Sequence, residues 1–137
     1  MAAEKDLKTL LLSMEPILDD NEYVFVTFKK ESLADILYLS PLSSFYEKEG
    51  LSLIITKESA IKNNIAFEST FRLISLTIHS SLDAVGLTAA ISQVLALKGI
   101  SANVVAAYYH DHIFVPEEKA NEAMAALREL QEEIMEG

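Results

Sequence analysis

Apolar positions recur at helical spacing in three parts of the chain and alternate in several others. Leu7, Leu10, Leu11 and Met14 repeat at three- and four-residue steps, which predicts an amphipathic helix over Asp6 to Met14. Pro16 and the polar run Asp19-Asp20-Asn21 are expected to end it in a turn. Tyr23 to Phe28 is rich in β-branched and aromatic residues, with Val24, Val26 and Phe28 on one side of a strand. Leu33, Ile36 and Leu37 suit a short helix stopped before Pro41. Phe45 to Glu49, Gly50, and Leu51 to Thr56 read as a hairpin, with Gly50 supplying an unusual backbone angle at the turn. Glu58 to Asn64 reads as a short helix.

The second half follows the same plan. Phe71 to Ile78 alternates, with Ile74, Leu76 and Ile78 inward. His79-Ser80-Ser81 connects it to a helix over Leu82 to Lys98, whose stripe is Leu87, Ala90, Ile91, Val94 and Leu97, and Gly99 stops that helix. Strands follow at Ile100 to Tyr109 and His112 to Val115. Pro116 opens the last helix, where a missing N–H is harmless, and Glu117 and Glu118 suit its first turn. Ala120, Ala123, Met124, Leu127, Leu130 and Ile134 form its buried stripe.

The halves resemble each other. Val24, Val26 and Phe28 match Ile74, Leu76 and Ile78 fifty residues on, and Leu53 to Glu58 resembles Ile113 to Glu118 at an offset of 59 or 60. Each half reads strand, helix, strand, strand, helix, the order of a split βαβ unit. The fold class expected is therefore α+β: two ferredoxin-like (βαββαβ-type) repeats with antiparallel sheets, over residues 1–68 (with the leading helix) and 69–137. Units of about 65 residues bury little alone, so pairing is favoured.

Composition narrows the function classes. At 137 residues, 50% apolar and 23% charged, the chain is outside the disordered range. It can bury about two-thirds of its extended surface. No apolar run reaches the ~18–20 residues of a membrane span, and the N-terminus lacks the basic region and cleavage site of a signal peptide. With no Cys there is no thiolate or disulfide chemistry, and a reducing, cytoplasmic setting is expected. The 21 acidic against 11 basic residues, net −10, oppose nucleic acid and anionic membranes as partners.

The candidate chemistry starts at His79 to Thr88, which joins a strand to a helix N-terminus. Ser80 and Asp83 have capping-box spacing, and free N–H groups there can receive a carboxylate. Gly86 permits close approach. An ordinary capped helix with a packing glycine has the same pattern. The three histidines form a second set: on an extended strand His110 and His112 share a face while Asp111 points away. With His79 they would make a metal site, although no Cys or Glu-x-x-His pattern accompanies them. Packed or hydrogen-bonded histidines are the commoner outcome. No nucleophile elbow, dinucleotide fingerprint or phosphate loop is present. Glu129, Glu132, Glu133 and Glu136 read as solvated charge on a terminal helix.

Strand, then Asp83-Ala84-Val85-Gly86-Leu87, then an apolar helix, resembles the Asp-x-x-Gly-Leu signature of ACT domains. Ile100-Ser101-Ala102-Asn103-Val104-Val105 resembles the following ACT strand, and Asp111-His112-Ile113-Phe114-Val115-Pro116 resembles the strand that enters the last helix of small bacterial tandem ACT proteins. The match is strongest over about residues 71–128 and also resembles a segment of eukaryotic arginine sensors. The first half fits more loosely, through Leu12 to Pro16, Tyr23-Val24-Phe25 and Glu49 to Leu53, and lacks the glycine after its first strand. The resemblance implies a non-catalytic regulatory module that binds an amino acid or related metabolite at an interface between ACT repeats, near loop 80–88. Ser81, Asp83, Ala84 and Gly86 would form one wall and Asn103 and Val104 another, with Asp111 helping to hold the ligand. It further implies a homodimer, a separate regulated protein and no cofactor. Two other readings stand beside it: a small metal-dependent enzyme using His79, His110 and His112, and a structural interaction module without ligand.

Overall fold

The computed structural model describes residues 6–77 and 86–137. These residues form helices α1 (Leu7–Ser13), α2 (Lys57–Lys62), α3 (Leu87–Leu97) and α4 (Ala120–Glu136). The strands are β1 (Pro16–Phe28), β2 (Ser43–Glu47), β3 (Gly50–Thr56), β4 (Phe71–Leu76), β5 (Asn103–Ala106) and β6 (Asp111–Pro116). Short 3₁₀ helices lie at Leu33–Leu39 and Glu117–Lys119. Both halves thus follow the expected order, an α+β chain of two ferredoxin-like repeats. The compact units are cut differently from the chain: residues to Asp19 group with Arg72–Gly137, and Asp20–Phe71 form the other.

In the Asp20–Phe71 unit the strand order is β2-β3-β1. β1 pairs antiparallel with β3, Val24 facing Ile55 and Val26 facing Leu53, and β2 pairs antiparallel with β3. The alternation seen in sequence puts Val24, Val26, Leu51, Leu53 and Ile55 on one face, where they bury with Ile36, Leu39 and Ala60. Gly50 begins β3 at φ 155°, and a Cβ there would stand 2.6 Å from the Phe28 carbonyl oxygen. The close approach of two backbones, in addition to the turn, is what demands glycine. Asn64, at φ 55°, follows α2, consistent with the tolerance of Asn for the left-handed region.

In the other unit the order is β1-β4-β6-β5, with β5 antiparallel to β6. Its core joins Leu10, Leu11 and Met14 of the first helix and its exit to Ile74, Leu76, Leu87, Ile91, Leu95, Ile113, Val115, Ala123, Met124 and Leu127. The leading helix, which chain order puts beside the first repeat, packs against α3 and α4. Asp6 caps it, accepting from the Thr9 N–H at 3.1 Å. Gln131 fixes its far end, donating to the carbonyls of Leu11 (2.8 Å) and Met14 (2.6 Å).

Four local expectations change. The run Asp19-Asp20-Asn21 is not a turn but lies inside the 13-residue β1. Leu18, before the polar stretch, packs on one core and Val24, after it, belongs to the other. Its backbone is held by pairing and by Arg72, whose guanidinium donates to the Asp19 carbonyl at 2.7 Å. Leu97 is 80% exposed, and Leu95 is buried in its place. At 100° per residue Leu95 lies only about 40° from Ile91, whereas Leu97 lies about 120° away. The strand expected to Tyr109 ends at Ala106. There Ala107 N–H bonds the His110 carbonyl at 3.1 Å to close a turn, leaving Tyr108 and Tyr109 exposed. The last helix begins as a 3₁₀ turn at Glu117 and becomes α-helical at Ala120.

Candidate ligand site

Gly86 opens α3. Its φ of 92° puts it in the left-handed region, and the nearest atom to a Cβ built there is a Leu7 methyl at 3.5 Å, an ordinary contact. Conformation alone therefore favours glycine at this point. Having no side chain, Gly86 provides no cap for the first-turn N–H groups of the helix.

Thr88, one residue into α3, and Ile91, a turn further on, form one side of a shallow surface depression too tight to hold a water. Leu76 of β4, Val104 of β5, and Asp111 and Ile113 of β6 complete it. The register explains the grouping. Val104 faces Ile113 across the β5–β6 ladder, and Asp111 is two residues before Ile113, on the same side of the strand. Leu76, Ile91 and Ile113 are essentially inaccessible, so the hollow has a packed aliphatic floor. Thr88 and Asp111 are the polar residues of its lining, and the surface it exposes is apolar.

Of the residues singled out in the sequence, Val104 and Asp111 thus come together in one hollow, and Gly86 stands at the start of the helix that walls it. Asn103 does not join them. It alternates with Val104, is exposed, and its amide donates to the Phe114 carbonyl at 3.4 Å. Ser81, Asp83 and Ala84 lie outside the described residues. Thr88, the last residue of the candidate stretch His79 to Thr88, was given no ligand role of its own, and its signal was its position just past Gly86-Leu87. Leu76 and Ile91 were legible as core but not as floor.

His112 lies on the side of β6 opposite Asp111. Its Nδ1 is 2.9 Å from the Ser75 hydroxyl, and its ring is 6.5 Å from that of His110, nearly perpendicular. Burial pushes the His112 pKa below the usual histidine range, the nearby His110 adds to that, and Asp111 opposes it. The Nδ1 of His110 is buried without a hydrogen-bond partner among the described residues. His79 lies outside the described residues, and among those described no three His, Cys, Asp or Glu side chains form a metal-binding group. No helix of the described residues is long and apolar enough to cross a membrane.

Two ACT domain family models match, one over residues 2–72 and one over 68–129. The chain belongs to the ACT domain family. It carries two ACT domains in tandem, and the ferredoxin-like repeats described above are those domains. A protein of unknown function from Vibrio cholerae, VC0802, described as a possible transport protein, is 50% identical, with 93% of this chain and 97% of that one covered and a TM-score of 0.84. Aspartokinase III of E. coli, in complex with aspartate and ADP, shares the fold at 13% identity and TM-score 0.62, over 83% of this chain and 32% of that one. The ligand-free regulatory subunit of Thermus thermophilus aspartate kinase shares it at 11% identity and TM-score 0.60, over 85% and 95%. No functionally curated protein matches the chain.

Proposed function

We propose that this tandem ACT protein is a regulatory module that binds an amino acid or a closely related metabolite and catalyses nothing itself. The observation that carries the reading is the pair of ACT domains over residues 2–72 and 68–129, with Gly86 opening α3 close to Val104 and Asp111. A ligand ammonium pairs with Asp111, and a ligand carboxylate takes first-turn N–H groups of α3. Ser81, Asp83 and Ala84, in the connection that leads to Gly86, belong to the same binding wall. Asn103 is left out, because it is exposed and its amide is engaged with Phe114. Binding alters self-association or a separate regulated protein, and the working form is a cytoplasmic homodimer.

The test is a thermal-shift screen of the twenty amino acids at millimolar concentration. A ligand present at a hundred times its Kd stabilises the folded chain by about 2.7 kcal/mol. A clear rise in Tm with one or a few of them is expected. No rise with any would end the proposal.

A further inference from the structure

We infer that α1 is a hinged lid over the start of α3: it pivots at its Met14 end and lifts its Leu7 end from Gly86 when a ligand takes that helix start. The lid deepens the amino-acid reading above and rests on it for the ligand.

The two ends of α1 are held differently. At the Met14 end the Gln131 amide donates to the Leu11 and Met14 carbonyls. One residue further on, the Thr77 N–H (3.2 Å) and hydroxyl (2.7 Å) donate to the Glu15 carbonyl. Glu15 leads straight into β1 at Pro16, whose ring restricts the backbone there. Directed hydrogen bonds thus fix this end to α4 and to the end of β4. At the other end Leu7 is half-buried against the core, and its methyl lies 3.5 Å from where a Cβ of Gly86 would stand. That contact is apolar and non-directional.

Length makes α1 a two-state element. Its seven residues are well below the ~12–15 that a helix needs to stand alone in water. Its first turn holds no acidic residue and its last turn no basic one to favour the dipole. The helical form therefore depends on Leu10, Leu11 and Met14 being seated in the core. Once the Leu7 end leaves, the segment unwinds toward its pivot in a local opening that spares the rest of the unit.

The seat of Leu7 is the helix start given above to the ligand. Gly86 lets a ligand come close to the first turn of α3, and Leu7 stands on the side where a Cβ would point. A ligand atom placed there needs the space of the Leu7 methyl. Seated lid and bound ligand exclude each other, so the apparent affinity is reduced by the fraction of chains with the lid up. Lifting uncovers Leu10, Leu11 and Met14, and ligand occupancy becomes an apolar stripe that a regulated protein can read.

The chain has no Cys, so a single introduced cysteine reports lid opening by its reaction with a thiol reagent. Leu11→Cys lies on the lid and Val115→Cys in the same core on β6, both at buried positions. Labelling of the two full-length variants is measured without ligand and with each of the twenty L-amino acids at millimolar concentration. Without ligand, Leu11→Cys is expected to react about tenfold faster or more than Val115→Cys. Equal rates would mean that α1 leaves only when the whole unit unfolds, and would overturn the lid. An amino acid that raises Tm is expected to speed the Leu11→Cys reaction severalfold while Val115→Cys stays slow. Leu7→Ala, which removes the contact with Gly86 and keeps the core residues of α1, is expected to bind that amino acid severalfold tighter by calorimetry. An amino acid that raises Tm but does not speed Leu11→Cys, or that binds Leu7→Ala no tighter, would overturn the lid and leave the amino-acid reading standing. No rise in Tm and no change in labelling with any of the twenty would remove the reading, and the lid with it.

Discussion

The two repeats follow one plan but start their first helices differently. In the first repeat the 3₁₀ helix Leu33–Leu39 follows Ser32, and Asp35 reaches back to accept from the Ser32 N–H at 2.9 Å and hydroxyl at 3.0 Å. Those hydrogen bonds hold the Asp35 carboxyl below the usual aspartate range, the backbone bond most strongly. In the second repeat an 11-residue α-helix follows Gly86, whose lack of a side chain leaves no such lock. One helix start is capped by its own sequence and the other opens on a glycine that has no side chain to cap it. A duplicated fold can thus keep its architecture twice while changing how a corresponding helix begins.

The largest effects should come from the two cores, and they test whether the units hold together independently. Leu10→Ala and Ile55→Ala each remove a fully buried aliphatic side chain, and each should cost about 2–5 kcal/mol. Hydrogen exchange is expected to rise first in α3 and α4 for Leu10→Ala, and first in β2 and β3 for Ile55→Ala. Identical exchange patterns would show one cooperative body and erase the distinction. The glycines give a sharper contrast. Gly50→Ala meets the Phe28 carbonyl at 2.6 Å as well as an unfavourable φ, whereas Gly86→Ala meets only the φ. Gly86→Ala should cost about 1–2 kcal/mol by urea unfolding, and Gly50→Ala should cost more; the reverse order would mean that the space around Gly86 is tighter than its backbone implies.

Smaller effects probe the site. Asp111→Asn should reduce amino-acid affinity by roughly tenfold, about 1.4 kcal/mol, with little change in Tm of the unliganded chain. Asp35→Asn, the matching change in the capped repeat, should leave affinity untouched, and an equal loss in both would collapse the comparison. The smallest effect is a pH dependence. The folded pKa of His112 lies below its unfolded value, so its contribution to stability is complete above the unfolded pKa and is lost as pH falls through the folded one. His112→Gln should flatten that acid-side decline in an equilibrium unfolding series.

Much of this was legible in the residues. Period-two alternation identified Val24, Val26, Ile74 and Leu76 as inward, and Asp83 to Leu87 pointed to the ACT family before any geometry was known. The misreadings have physical causes. Asp19-Asp20-Asn21 has turn composition, yet strand pairing and the Arg72 guanidinium overrode local preference. Near the end of α3, a three-residue step from Val94 reaches Leu97 and a four-residue step from Ile91 reaches Leu95, and only three-dimensional packing decides between them. The meeting of Val104 and Asp111 with Thr88 depends on strand register and on where the helix crosses the sheet, neither of which a single sequence states.

The Gln131 bonds to the carbonyls of Leu11 and Met14 join residues 120 and 117 positions apart. On a ribosome, α1 is made about 120 residues before its anchor. At about 5–20 residues per second, Leu10 and Leu11 wait roughly 6–24 s for the helices that bury them. Asp20–Phe71, contiguous in the chain, has no such delay. Birth order therefore runs opposite to folding order here: α1 is translated before the Asp20–Phe71 unit but finds its place after it.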